Sequence, residues 1–168
     1  ENILKTHQNI SRYYSNSQLV AEGVTFFENS IIEYTEDLDE TLWNNNHLYN
    51  GKDYVKKYLF YKNFILNASS VIFKKSNAIK SIDEIINFKT SGDWLFWASI
   101  LTEGEVYFNE NKLNFFRHSL QSTRNYNTLE KKQLRIVEKI NVQEKIISLY
   151  NFSSSFIKKT RKNLTKEW

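Results

Sequence analysis

The spacing of apolar residues changes several times along the chain, and each change marks an element. Ile3, Leu4, His7 and Ile10 fall on one side of a helix over residues 1–16. Leu19 to Phe27 (LVAEGVTFF) is β-branched and aromatic and predicts a strand, with Gly23 at a bulge. Residues 28–50 are polar and broken, a loop with one helical turn near Trp43. Tyr54, Val55, Tyr58 and Leu59 give a helical face to 51–59, and Phe64 to Lys75 predicts a second strand region whose buried centre is Val71-Ile72-Phe73.

The second half alternates in the same way. Ser81-Ile82-Asp83-Glu84 is a capping-box pattern opening a short helix over 82–88. Trp94, Trp97, Ala98 and Leu101 follow at i, i+3, i+4 and i+7, and Gly104 stops that run. Glu105 to Arg117 predicts two short strands around a polar Asn-Glu-Asn turn. From Leu129 to Lys162 the pattern is helical, as one helix or two, with Asn127 and Glu130 as a capping box. Leu134, Val137, Ile140, Ile146, Leu149, Tyr150, Phe156 and Ile157 form its stripe. The expected class is α/β: a small mixed sheet of about three to five strands packed with helices, then a C-terminal helical segment.

Composition narrows the chemistry. The 168 residues suit one domain with a real core, and 15% are aromatic. There is no cysteine, which excludes disulfides and thiolate metal sites. Methionine is absent too, so the chain is expected to be a piece of something longer. No apolar run approaches the roughly 20 residues of a membrane span, and no signal peptide is visible. The expected location is cytoplasmic, or the inner face of the membrane. The net charge is +4, yet residues 130–168 alone carry +6. A basic end on a near-neutral body suggests a surface-seeking segment and not a nucleic-acid fold.

Three stretches carry candidate chemistry. Gly92-Asp93-Trp94 places a carboxylate in the first turn of a helix, beside Trp94 and Trp97. One reading is a capping box with Thr90 as N-cap and Asp93 reaching back to its amide. The other is a general base beside aromatic surface that holds a sugar ring. Asn67-Ala68-Ser69-Ser70 is either a polar strand entrance or a small-residue approach for a ligand, with Asn67 as an amide donor. Arg117-His118 sits where a strand leaves for a polar loop, and imidazole can bind a divalent cation while Arg117 holds an anionic oxygen. His7 and His47 have no comparable setting.

In order and spacing, residues 63–75 (NFILNASSVIFKK), 92–104 (GDWLFWASILTEG) and 106–123 resemble the acceptor-side half of a family-2 glycosyltransferase with the GT-A fold. The resemblance covers residues 18–125. It implies that residues 1–128 are a partial GT-A-like domain with the acceptor site and catalytic base, and 129–168 a helical extension. Asp93 would be the base. Trp94 and Trp97 would face the acceptor, with Asn67 and Arg117 as lesser acceptor or phosphate contacts. His118 would approach a divalent metal (Mg or Mn) on the diphosphate. The implied reaction is inverting transfer from a nucleotide-sugar donor to a glycan or lipid-linked saccharide acceptor.

The chain departs from that family in lacking the nucleotide-binding half and its metal-binding Asp-x-Asp. Asp37-Leu38-Asp39 has the motif but follows a polar stretch, and reads as a solvated acidic loop. The fragment alone is therefore expected to be inactive. Phe156 to Lys162 ends in basic residues that suit a helix C-terminus or peripheral contact with anionic lipid. An open sheet edge would pair with a second copy as a homodimer. The alternative reading is a non-catalytic carbohydrate- or partner-binding module. A nucleic-acid-binding helical domain is set aside for want of a reading motif.

Overall fold

The computed structural model describes residues 2–21, 26–27, 30–65, 67–79, 82–118 and 128–164. It is a mixed α/β structure whose five-stranded sheet has the order β2-β1-β5-β3, with β4 also on β1. In chain order the elements begin with α1 (Asn2–Thr6), β1 (Ile10–Ala21), β2 (Phe26–Phe27), α2 (Ser30–Thr35) and β3 (His47–Asn50). Then come α3 (Gly51–Tyr54), which continues as a π-helical turn over Val55–Leu59, β4 (Val71–Phe73), α4 (Lys75–Ile79) and α5 (Ile82–Ile85). The chain ends with α6 (Gly92–Ser99), β5 (Glu105–His118), α7 (Leu129–Tyr150) and α8 (Ser154–Leu164).

β1 is the central strand. One edge runs parallel to β5, and the other pairs antiparallel with β4 at Arg12–Tyr14 and with β2 at Leu19 and Val20. β3 lies antiparallel on the far edge of β5. The strand thus starts well before the predicted Leu19. Ser11 to Ser17 is too polar to announce a strand, but pairing on both edges overrides that weak propensity. β5 is likewise one strand and not two. Asn109 Oδ1 accepts from the Asn111 backbone and side chain, closing a bulge, and the pairing with β1 resumes beyond it at Lys112 and Asn114.

The core forms between the sheet face bearing Tyr14, Val106 and Phe108 and the helices α3, α6 and α7. Tyr54, Val55, Leu59, Leu95, Ala98, Leu101, Val142 and Ile146 are fully buried there. Trp43 Nε1 donates to the Tyr14 hydroxyl at 2.8 Å, which bonds that of Tyr54. These three buried polar tips therefore partner one another. Val71-Ile72-Phe73 is not the buried centre expected: Ile72 is 56% exposed. It lies on the other sheet face, in a row of paired positions Leu48–Tyr107–Tyr13–Ile72 across four strands. The Tyr13 and Tyr107 rings stack at 5.6 Å within that row.

The C-terminal helices differ from their expected stripe. Val137, Ile140 and Leu149 are exposed, while Glu138, Val142, Gln143 and Ile146 face inward. A face at i, i+4 and i+8 that includes a carboxylate is invisible to a purely apolar count. Asn151, at φ 49°, breaks the helix, since asparagine tolerates the left-handed region. The N-cap is Thr128, whose side chain accepts from Lys131 N–H; Asn127 and Ser81 of the expected capping boxes lie outside the described residues. Phe156 packs on Phe152 and Phe60, so the first turn of α8 turns apolar surface toward protein. Among the described residues, no helix is long and apolar enough to cross a membrane.

Gly104, at φ +81°, turns the chain into β5, and a Cβ there would meet the Asn9 carbonyl oxygen and the Ser11 hydroxyl. Gly104→Ala is expected to lower the unfolding free energy by about 2–4 kcal/mol, combining left-handed strain with a backbone clash. Urea titration of the two proteins checks this. An unchanged midpoint would mean that the turn tolerates a side chain.

Candidate functional site

Asp93 stands in the first turn of α6 with its side chain exposed. Its Oδ1 accepts the Trp94 backbone N–H at 2.8 Å. Its Oδ2 accepts from Asn63 Nδ2 at 3.3 Å. The capping box expected from Thr90 does not form. The N-cap is Ser91, whose side chain makes no cap hydrogen bond. The Thr90 amide goes instead to Glu138, which reaches over from α7.

Glu138 is the anchor of this loop. Its carboxylate accepts from the N–H groups of Lys89 at 2.7 Å, Thr90 at 2.8 Å and Ser91 at 2.9 Å, and from the Thr90 hydroxyl at 2.5 Å. They belong to the loop that enters α6: Ser91 is the N-cap, and Lys89 and Thr90 precede it. Burial alone would raise the Glu138 pKa, but the Thr90 hydroxyl and the three amides outweigh it and hold it below the ordinary value. A carboxylate that takes four donors at once displaces the single contact that Asp93 could have made. Glu138 thus holds the loop that leads into α6, while Asp93, in the first turn, stays exposed with Oδ1 on the Trp94 amide.

The other end of α6 is held by a cation. Arg12 Nη1 donates to the Trp97 carbonyl at 3.2 Å, and the Tyr150 hydroxyl donates to the Ala98 carbonyl at 2.6 Å. Arg12 is fully buried, with its guanidinium 5.4 Å from the Tyr14 ring centre and 5.9 Å from that of Tyr54. Burial pulls its pKa down. Positive charge at a helix C-terminus and negative charge at its N-terminus both agree with the peptide dipoles.

The other expected site residues are placed as follows. Trp94 is 6% exposed and its indole N–H donates to the Leu59 carbonyl at 2.6 Å, tying α6 to the π-helical turn. Trp97 is buried with its ring against Phe96 and Phe73. Asn67 caps the short 3₁₀ turn Ala68–Ser70: its side chain accepts from Ser69 N–H, and its carbonyl accepts from the Ser70 hydroxyl. Arg117 and His118 close β5 beside Val20 and Ala21, and the phosphate and metal roles expected of their side chains lie outside the described residues. Among the described residues there is no group of three or more His, Asp or Glu that could hold a metal ion.

The two carboxylates of Asp37-Leu38-Asp39 make separate local contacts. Asp39 accepts from the amides of Thr41 and Leu42 and from the Tyr58 hydroxyl, and the Thr41 amide leads the contacts that lower its pKa. Asp37 pairs with Lys62 at 2.8 Å.

The structure brings Asp93 together with Asn63; no hydrogen bond with Asn67 is present among the described residues. Asn63 contacts it, and the next two residues, Phe64 and Ile65, line a small cavity with Ser70, Ile31 and Tyr14-Ser15-Asn16-Ser17 of β1. Sequence reasoning missed Asn63, Glu138 and the Ser-Asn-Ser run. Glu138 carried one legible signal, its i, i+4, i+8 spacing with Val142 and Ile146. No protein-family model, curated protein sequence or solved structure matches the chain.

Because its pKa is depressed in the fold, Glu138 stabilises fully above its unfolded value, near 4.5, and loses that contribution as pH falls through the lower folded value. Glu138→Gln is expected to cost about 2–3 kcal/mol at neutral pH and to flatten the acid side of the stability curve. Chemical denaturation between acidic and neutral pH measures both. An equal acid slope in the two proteins would remove Glu138 as the source.

Proposed function

We propose that this chain is the acceptor-side, partly GT-A-like half of an inverting family-2 glycosyltransferase, with Asp93 as general base. The observation that carries the reading is the separation of Glu138 from Asp93. The first takes the Thr90 amide that a capping box would have given to Asp93, and the second is an exposed carboxylate on a helix held at both ends. The motifs at 63–75, 92–104 and 106–123 supply the family resemblance.

In this reading an acceptor sugar hydroxyl gives its proton to an Asp93 oxygen as its own oxygen attacks the anomeric carbon of a nucleotide sugar. The bond from that carbon to the diphosphate oxygen breaks, and the diphosphate leaves with the electron pair. Attack opposite the leaving group inverts the anomeric centre. Asn63 donates to Asp93 Oδ2 and fixes the carboxylate's orientation, as a base within hydrogen-bonding reach requires. Trp94 serves by position: its hydrogen bond to Leu59 sets where α6 starts. A divalent cation at the diphosphate belongs to the family resemblance; the described residues offer no cluster to hold it, and the steps above run through protein groups. Lipid contact through Lys158 and Lys159, and pairing of two copies along the outer edge of β3, extend the same proposal to partners.

In the polypeptide that joins this segment to a nucleotide-binding half, Asp93→Asn is expected to lower sugar transfer by roughly 10²–10⁴-fold. The melting temperature should barely move, since the side chain is exposed. Transfer is read by release of nucleoside diphosphate in the presence of acceptor. Unchanged transfer in Asp93→Asn would sink the assignment. Glycan binding without transfer, indifferent to the substitution, would favour the non-catalytic carbohydrate-binding module.

A further inference from the structure

The cavity beside β1 is unusual in what lines it. In a regular strand, consecutive side chains point to opposite faces. Here Ser15, Asn16 and Ser17 all line one cavity, and all three are buried. The cause is the irregular pairing with β5: Ser15, Asn16 and Ser17 oppose Asn109, Lys112 and Asn114, so the bulges fall opposite these three residues. Bulges re-aim side chains in this way next to functional sites.

Two of the polar groups are uncommitted among the described residues. Asn16 is 5% exposed, and its Oδ1 accepts from Ser17 N–H at 2.8 Å, while its amide nitrogen has no hydrogen-bond partner. The Ser15 hydroxyl, on a residue 4% exposed, has none either. Ser70 faces them from the 3₁₀ turn, its hydroxyl bound to the Asn67 carbonyl. Neither atom is sealed from solvent, so both are open to a group that enters the cavity. The cavity of about 10 Å³ admits one water-sized group and no more. No carboxylate lines it to favour a cation, and no basic side chain to favour an anion. What fits is a neutral group of one heavy atom that both accepts and donates.

We propose that Ser15, Asn16 and Ser70 form a hydroxyl-recognition subsite for a saccharide: one sugar hydroxyl enters the cavity while the ring stays outside it. The hydroxyl oxygen accepts from Asn16 Nδ2, and its proton goes to Ser15 Oγ. The choice of a sugar rests on the transferase reading: Phe64, which lines the cavity, follows Asn63, which donates to Asp93. The hydroxyl held here is not the reacting one. This subsite selects which sugar, and in which orientation, lies beside Asp93.

The test uses the 168-residue chain, labelled with ¹⁵N and titrated with glucose, galactose and N-acetylglucosamine in turn. At least one sugar is expected to shift the Asn16 side-chain amide signal in a saturable way. Asn16→Asp keeps the acceptor toward Ser17 and the volume but replaces the donor, and should weaken that sugar about tenfold or more. Ser15→Ala, which removes only an uncommitted hydroxyl, should weaken it less and leave the melting temperature unchanged. The proposal is overturned if no sugar shifts the Asn16 amide, or if Ser15→Ala and a folded Asn16→Asp both bind like the parent. Asp93→Asn separates the two readings. Sugar binding at Asn16 that survives this substitution, with transfer also intact, removes the base and keeps the subsite. Loss of transfer without any sugar at Asn16 removes the subsite and keeps the base.

Discussion

A helix of eight residues is held at both ends by buried charges from distant parts of the chain, and the geometry around Asp93 depends on it. Glu138 supplies the anion at the amino end, and Arg12 the cation at the carboxyl end. A helix this short gains little from its own hydrogen bonds. The fixed charges offset that: Glu138 takes the N-cap amide and the two amides before it, and Arg12 takes one terminal carbonyl. The two ends are not equivalent. Glu138 meets four donors, whereas Arg12 leaves Nε and Nη2 without partners and relies on the faces of Tyr14 and Tyr54. Of the two charged groups, the Glu138 carboxylate is the more completely satisfied.

β1 sets the second constraint. It supplies Arg12 to α6, Tyr14 to the aromatic core and Ser15-Asn16-Ser17 to the cavity, all within six residues. A strand paired on both edges has little freedom to move, so these groups share one rigid support. That support also explains why the polar run can be tolerated: the irregularity in β5 gives its side chains somewhere to go.

Much of the fold could be read from the chain, and the exceptions have a common cause. The helices at 51–59 and 92–99 and the helical C-terminal segment announced themselves by period, because each buries one stripe against the core. β1 did not, because a central strand takes its stability from partners and carries Ser, Arg and Asn where a half-buried strand would alternate. Asn109-Glu110-Asn111 resembled a hairpin turn, since asparagine folds back on its own backbone equally well in a turn and in a bulge. At the site, Asp93 and Asn67 were legible as polar residues next to helix and strand starts. Asn63 and Glu138 act on Asp93 or its loop across 30 and 47–49 residues. No local pattern encodes such a contact.

The parallel pairing of β1 with β5 carries a kinetic cost. Ile10 meets Glu105, and the whole ladder closes at comparable separation. Contacts of such long range form late and slowly, because the intervening chain must be ordered before they repay its entropy. During synthesis β1 emerges first and must wait, with the edge meant for β5 bare, until most of the chain has followed. The polar Ser-Asn-Ser run and the arginine on β1 make that waiting strand a poor template for other chains. Residues that serve the finished site would then also act as gatekeepers while it is being made.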